Sequence, residues 1–132
     1  MINVEVCINC DSQQSVTEAV SAARLGGAST VELCSAMHFD GLTPREAHIS
    51  QARDAFKDQP GLMVMIRPRE GDFYVSTSEL RLMMDQIISA AQRKADGVVF
   101  GVLRQKDNTI ATDDLLRLVD LCQKYNLTST FH

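Results

Sequence analysis

The sequence has no excess of positive charge, no long apolar run and no low-complexity segment. Its formal net charge of -4 gives no reason to expect nucleic acid or an anionic membrane surface as a partner. No apolar run approaches the roughly 20 residues needed to cross a bilayer. With 132 residues, 45% of them hydrophobic, the chain can form one domain over residues 1–132 with a substantial core.

The sequence also lacks a recognisable signal peptide and a second C-x-x-C motif, and both absences bear on the state of the cysteines. The first five residues, Met-Ile-Asn-Val-Glu, lack the basic and apolar regions of a signal peptide. We therefore expect a cytoplasmic protein whose four cysteines are reduced. Only one C-x-x-C motif is present, from Cys7 to Cys10, so a four-cysteine zinc site of the usual spacing is not expected. The role of Cys10 stays open between a redox dithiol and half of a zinc site.

Segments with strand character alternate with segments of helical spacing along the whole chain. Strands are predicted at residues 2–8, 30–35, 62–66, 98–103 and 128–132. Helices are predicted between them, beginning after the N-cap residues Ser15, Thr43, Ser76 and Thr112. This alternation predicts right-handed crossovers and a parallel α/β sheet.

Two architectures fit this order: a five-stranded doubly wound sheet and an incomplete (β/α)8 barrel. Glu5 and Cys7 share one face of the first strand, and Glu32 and Cys34 share one face of the second. A doubly wound sheet would bury both glutamates under apolar helices, at a cost of several kcal/mol each unless they are paired. We therefore predict a parallel (βα)4β segment of a TIM (β/α)8-type barrel, truncated to about half of the roughly 250 residues of a complete barrel.

Charged residues at the strand ends share the predicted lumen face. Arg67, with Arg69 beside it, is a candidate to bind a carboxylate or phosphate. Glu32 and His132 are candidates to move a proton, which would suit an enzyme acting on a small anionic metabolite. The alternative is a structural ion pair of Arg67 with Glu32 or Glu5, and the residues alone leave both interpretations open.

The repeated Glu-x-Cys motif places two thiols on neighbouring strands. Parallel strands lie about 4.8 Å apart, so Cys7 and Cys34 can come within reach of one metal ion. Soft thiolates select Cu(I), with zinc as the usual competitor. The alternative is that both cysteines are small hydrophobic residues of the core.

These motifs together resemble the copper homeostasis protein CutC family. The resemblance is carried by Glu-Val-Cys (5–7), Val-Glu-Leu-Cys-Ser (31–35), Gly-Leu-Thr-Pro (41–44), Met-Ile-Arg-Pro-Arg (65–69), Gly-Asp-Phe (71–73), Asp-Gly-Val-Val-Phe-Gly-Val-Leu (96–103) and Thr-Phe-His (130–132). It implies a (β/α)8-type barrel, a role in cytoplasmic copper handling, and Cu(I) bound by Cys7 and Cys34. The family pattern continues beyond Thr-Phe-His, where this chain ends, and Glu70 replaces a usual glycine.

A half barrel predicts association between copies of the chain. Strands one and five would be open edges, and such edges are prone to pair with other strands. The open lumen face is expected to expose Met63, Met65, Val98, Phe100 and Val102. We therefore expect a homodimer or a higher oligomer.

Overall fold

A five-stranded parallel sheet, with its strands in chain order, forms the centre of the structure. The structure is a computed structural model that describes all 132 residues. The strands are β1 (Glu5–Asn9), β2 (Thr30–Cys34), β3 (Leu62–Met65), β4 (Gly97–Phe100) and β5 (Thr128–Phe131). The helices between them are α1 (Val16–Leu25), α2 (Glu46–Phe56), α3 (Thr77–Gln92) and α4 (Thr112–Lys124).

The connectivity confirms the predicted (βα)4β segment. Each strand pairs in parallel with the next one along the chain, and β1 and β5 are the two edges of an open sheet. A helix connects each pair of neighbouring strands, as parallel pairing requires. None of the four helices combines the length and the apolarity needed to span a membrane.

One face of the sheet packs against all four helices and forms the main core. The strand residues of this core alternate in sequence, as in Val31 and Leu33 of β2 and Val98 and Phe100 of β4. The helices contribute the following buried residues: Val16, Val20, Ile49, Ala52, Phe56, Leu80, Met83, Ile87, Leu118 and Cys122. Full burial of a Val, Leu, Ile or Phe side chain stabilises a fold by about 1.5–3 kcal/mol, so this layer dominates stability.

The expectation that Val98, Phe100 and Val102 line the lumen is wrong. All three are buried in the helix-side core. The reason is the register, which pairs Met63 with Gly97 and Met65 with Val99. Residues paired across parallel strands face the same side, so Val99 joins the methionines on the opposite face.

The apolar residues of the open face are also less exposed than expected. Met63, Met65 and Val99 are 8%, 4% and 4% exposed, and they pack with Cys34 in a second, smaller cluster. Gly97 makes room for Met63, because a Cβ at Gly97 would lie 2.7 Å from the Met63 sulfur. Large exposed apolar area on this face is therefore not a reason for the chain to associate.

The predicted helix starts are half right. Ser15 and Ser76 each form a complete capping box, with Glu18 and Glu79 as the reciprocal acceptors. The predicted caps Thr43 and Thr112 are wrong, because α2 and α4 begin after extended or irregular residues that give no side-chain cap.

Thr43 instead connects the second and third βα loops. Its hydroxyl accepts a hydrogen bond from the Arg67 backbone N–H at 2.8 Å and donates one to the Gln86 amide oxygen at 2.9 Å. Its backbone N–H also donates to the Arg67 carbonyl at 3.0 Å. With its hydroxyl and its N–H both engaged, Thr43 fixes the exit of β3 against the loop that follows β2.

Asp96 connects three segments at the amino-terminal edge of the sheet. Its carboxylate accepts hydrogen bonds from the backbone N–H groups of Gly61 and Leu62, both at 2.8 Å. It also forms an ion pair with Arg53 of α2. Arg53 donates in addition to backbone carbonyls at the end of α2 and before β4. Asp96 thereby joins the starts of β3 and β4 to α2.

We predict that Asp96→Ala lowers the free energy of unfolding by about 2 kcal/mol. Hydrogen bonds to charged groups contribute about 1.5–3 kcal/mol each, and partial exposure of this carboxylate reduces the sum. Asp58→Ala is the control, because Asp58 is exposed and makes no hydrogen bond. Urea denaturation of both variants measures the effect, and equal midpoints for the two variants would contradict it.

Candidate metal centre

Four of the five strands carry the predicted site residues, in the middle of β1 and at or just after the carboxyl ends of β2, β3 and β5. Cys7 and Cys34 lie on β1 and β2, Arg67 follows β3, and His132 follows β5. The alternation of side chains puts all four on the face that the helices do not cover. The carboxyl ends of the strands are where (β/α)8 proteins carry their active sites.

The thiols of Cys7 and Cys34 are neighbours across β1 and β2. Their sulfur atoms are 3.9 Å apart. The register pairs Cys7 with Glu32 and Asn9 with Cys34, so the two thiols are diagonal rather than directly opposite. This separation is less than twice the metal–thiolate bond length of about 2.3 Å, so a single metal ion can bind both sulfurs.

Burial and nearby carboxylates keep both thiols protonated. Cys7 is exposed, but partial desolvation still raises the pKa of its thiol above the ordinary value of 9.0; the hydrogen bond with Cys34 lowers it, and the charges of Glu32 and Glu5 raise it. Burial raises the pKa of Cys34 still more strongly, with Cys7 and Glu32 adding to the effect. The pKa of the Glu32 carboxyl is also raised, by burial and by Glu5. A metal ion must therefore displace thiol protons in order to bind.

The donor set around the thiols is small. The Glu32 carboxylate lies 3.6 Å from the Cys34 sulfur. No group of three His, Cys, Asp or Glu side chains is arranged to hold a metal ion. Two thiols therefore fit a metal that tolerates low coordination better than one that needs a closed shell of four ligands.

The other two cysteines lie away from this pair. Cys10 and Cys122 are buried in the helix-side core, and burial raises the pKa of Cys10 to about 12. The C-x-x-C spacing therefore does not bring Cys10 to the exposed face beside Cys7. All four cysteines are free thiols.

Arg67 is buried and binds backbone rather than carboxylates. Its guanidinium donates to three carbonyls, those of Phe39, Gly41 and Gly71, at 2.9, 3.3 and 2.7 Å. It also lies 4.9 Å from the centre of the Phe73 ring, a cation–π contact. The alternative interpretation of Arg67 as a partner of Glu32 or Glu5 is therefore wrong. Arg67 holds the loops after β2 and β3 together.

Arg69 has its donors engaged by neighbouring groups. It forms ion pairs with Asp72 and Glu79, and it donates to the Tyr74 carbonyl. These contacts raise the pKa of Arg69 and lower the pKa of Asp72. An anion approaching Arg69 would have to compete with two carboxylates.

His132 contacts β4 and Phe73 and makes no contact with either thiol. Its backbone N–H donates to the Phe100 carbonyl at 2.9 Å, and its ring centroid is 6.2 Å from that of Phe73. It follows the edge strand β5, and β3 and β4 lie between it and Cys34. The structure therefore does not bring His132 into the thiol pair.

Asp11 is a site residue that no sequence pattern indicates. Its carboxylate accepts hydrogen bonds from the Ser35 hydroxyl at 2.6 Å and the Ala36 backbone N–H at 2.7 Å. Those bonds lower the pKa of Asp11 and fix the chain immediately after Cys34. Its partners are at least 24 residues away in the chain, so no local motif marks the contact.

Known proteins resemble this chain over 75% to 100% of its length. Family protein CutC from Vibrio parahaemolyticus is 38% identical over 130 residues, which is 98% of this chain and 49% of the relative. Family protein CutC from Bacteroides thetaiotaomicron is 46% identical over 99 residues. A crystal structure described as a copper homeostasis protein CutC, from Streptococcus agalactiae, superposes with a TM-score of 0.83 at 30% identity.

Each match covers a larger share of this chain than of the known protein. The superposition covers 100% of this chain and 59% of the Streptococcus chain. The chain spans about half the length of the curated Vibrio relatives. The model of the CutC family matches residues 2–132. The protein therefore belongs to the CutC family.

Proposed function

We propose that this protein binds Cu(I) through the thiolates of Cys7 and Cys34, as a cytoplasmic component of copper homeostasis. The observation that carries the proposal is the 3.9 Å separation of the two sulfurs at the carboxyl edge of the sheet. Membership of a family with a relative described as a copper homeostasis protein supports copper as the metal. Bound copper would be the cargo of this pair.

The chemistry of the donor set also favours Cu(I) over zinc. Structural zinc sites are almost always four-coordinate, and no such set of ligands surrounds the pair. Thiolates are soft ligands, which select Cu(I). The two thiols lie on adjacent strands of a hydrogen-bonded sheet, so little reorganisation is needed for both to bind one ion.

We predict that Cys7→Ser combined with Cys34→Ser weakens Cu(I) binding by at least about 100-fold, because ligand loss costs more than loss of an outer-shell partner. Anaerobic titration against a competing Cu(I) chelator measures the affinity. The matched control is Cys10→Ala combined with Cys122→Ala, which also removes two thiols, but from the helix-side core. This control should keep the wild-type affinity for Cu(I). Wild-type affinity in the serine variant would overturn the proposal.

The raised thiol pKa values predict a steep dependence of Cu(I) affinity on pH. Both thiols are protonated below their raised pKa values, so binding releases two protons. The apparent affinity should therefore rise by about 100-fold per pH unit between pH 6 and 8. The same titration in a chelator that does not titrate in this range gives the slope. A flat profile would mean that the ion does not bind the two thiols.

We propose a homodimer formed through an open edge of the sheet. All four residues of β5 are exposed, and its outer edge has no strand beside it. The N–H groups of Thr128 and His132 bond inward to β4, so alternation directs those of Ser129 and Phe131 outward. Two copies related by a two-fold axis can pair these edges in antiparallel fashion.

We predict a mass of twice 14.6 kDa by light scattering after size exclusion at micromolar concentration. Ser129→Pro removes an outward donor without breaking the pairing with β4, so it should shift the population toward the monomer. A wild-type species at 14.6 kDa would refute the dimer.

The alternative function is a barrel enzyme acting on a small anionic metabolite. Glu32 and His132 on the open face favour it, with Arg67 as the anion ligand. Its support is weaker, because Arg67 donates to three carbonyls and Arg69 is paired with two carboxylates. Stabilisation of the wild type but not of Arg67→Ala by phosphate or a dicarboxylate, in a thermal-shift assay, would favour this alternative.

A further inference from the structure

The loop of residues 36–41 passes beside the Cys34 thiol and carries a third sulfur, that of Met37. It contains the short 3-10 turn Met37–Phe39, flanked by Ala36 and Asp40 in left-handed conformations with φ of 47° and 64°. Residues other than glycine adopt this conformation at a cost, so the surrounding contacts must hold the loop. The Met37 side chain is 38% exposed and is not part of the core.

Three sets of contacts hold this loop over the sheet. Asp11 accepts the Ala36 N–H at the start of the loop. Arg67 donates to the carbonyls of Phe39 and Gly41 at its end. Ser35 and Leu42 close the base of the loop with two backbone hydrogen bonds of 2.9 and 2.7 Å. The backbone of Met37 is therefore fixed, while its flexible side chain remains free to change rotamer.

The sulfur atoms of Met37 and Cys34 both lie close to Gly41. A Cβ atom placed on Gly41 would be 3.4 Å from the Cys34 sulfur and 3.6 Å from the Met37 sulfur. Gly41 has no side chain, and its φ of 92° disfavours any other residue. The glycine thus keeps a side chain away from the space bordered by thiol and thioether.

We infer that Met37 supplies a third sulfur ligand to Cu(I) held by Cys7 and Cys34, and that it sets the preference for Cu(I) over zinc. The inference rests on the proposed copper function. A thioether is soft and uncharged, so it suits Cu(I) and has no proton to lose on binding. Zinc, by contrast, accepts carboxylate oxygen readily, and Glu32 lies 3.6 Å from the Cys34 sulfur.

Met63 and Met65 both pack with Cys34 in the smaller cluster. The Met63 sulfur accepts a hydrogen bond from the Thr128 hydroxyl of β5 at 3.7 Å, which leaves Met65 as the rival thioether. Met65 and Met37 differ in how tightly their side chains are packed. Met65 is 4% exposed and is packed with Met63 and Val99, so its side chain cannot move without opening a cavity. Met37 has no such packing, and we therefore assign the ligand to it.

The test compares Met37→Leu, Met65→Leu and Glu32→Gln with the wild-type chain, using Cu(I) and Zn(II) alone as probes under anaerobic conditions. Met37→Leu should weaken Cu(I) binding by about tenfold and leave Zn(II) binding unchanged. Glu32→Gln should weaken Zn(II) binding, because it removes the carboxylate nearest to the thiols, and should not weaken Cu(I) binding, because it removes a charge that raises the thiol pKa values. Met65→Leu should change neither, and a loss of Cu(I) affinity in that variant alone would overturn the assignment.

X-ray absorption at the copper edge gives a second readout that does not depend on affinity. The wild-type protein should show three sulfur ligands and Met37→Leu two. Three sulfurs in both would overturn the inference. If the two cysteine substitutions weaken Cu(I) binding and Met37→Leu does not, only the role of Met37 is overturned. If the cysteine substitutions leave the Cu(I) affinity unchanged, the proposed copper function is overturned as well.

Discussion

The parallel register of the sheet is the constraint on which the rest of the structure depends. Paired residues of neighbouring parallel strands face the same side, so one choice of register fixes both faces of all five strands. The face with Val31, Leu33 and Val64 packs on four helices and supplies most of the buried apolar area. The other face is thereby left to residues such as Cys7 and Cys34, whose sulfurs meet diagonally.

Charged side chains that bind backbone groups fasten the two ends of this sheet. Asp96 accepts backbone N–H groups at the amino-terminal edge, and Arg67 donates to backbone carbonyls at the carboxyl edge. Burying a guanidinium without a carboxylate partner is costly, and the carbonyls and the Phe73 ring offset that cost. Arg67 therefore orders the loops around the thiols, which is a positioning role.

The sequence predicts the fold correctly where a residue pattern is compatible with only one arrangement. Alternation of strands and helices gave the (βα)4β order, and the repeated Glu-x-Cys motif identified the face that the helices leave open. The phase of β4 cannot be predicted from alternation, because residues 98–103 are apolar at nearly every position. The partners of Arg67 could not be foreseen, because backbone carbonyls from distant loops leave no mark on the sequence.

We propose that the sheet register builds one copper site from Cys7 and Cys34. Anomalous diffraction at the copper edge, from crystals of the Cu(I)-loaded protein, can locate the ion. We expect a single copper peak bonded to both of these sulfurs at the carboxyl edge of the sheet. A peak bonded to Cys10 or Cys122, or one that contacts neither Cys7 nor Cys34, would contradict it.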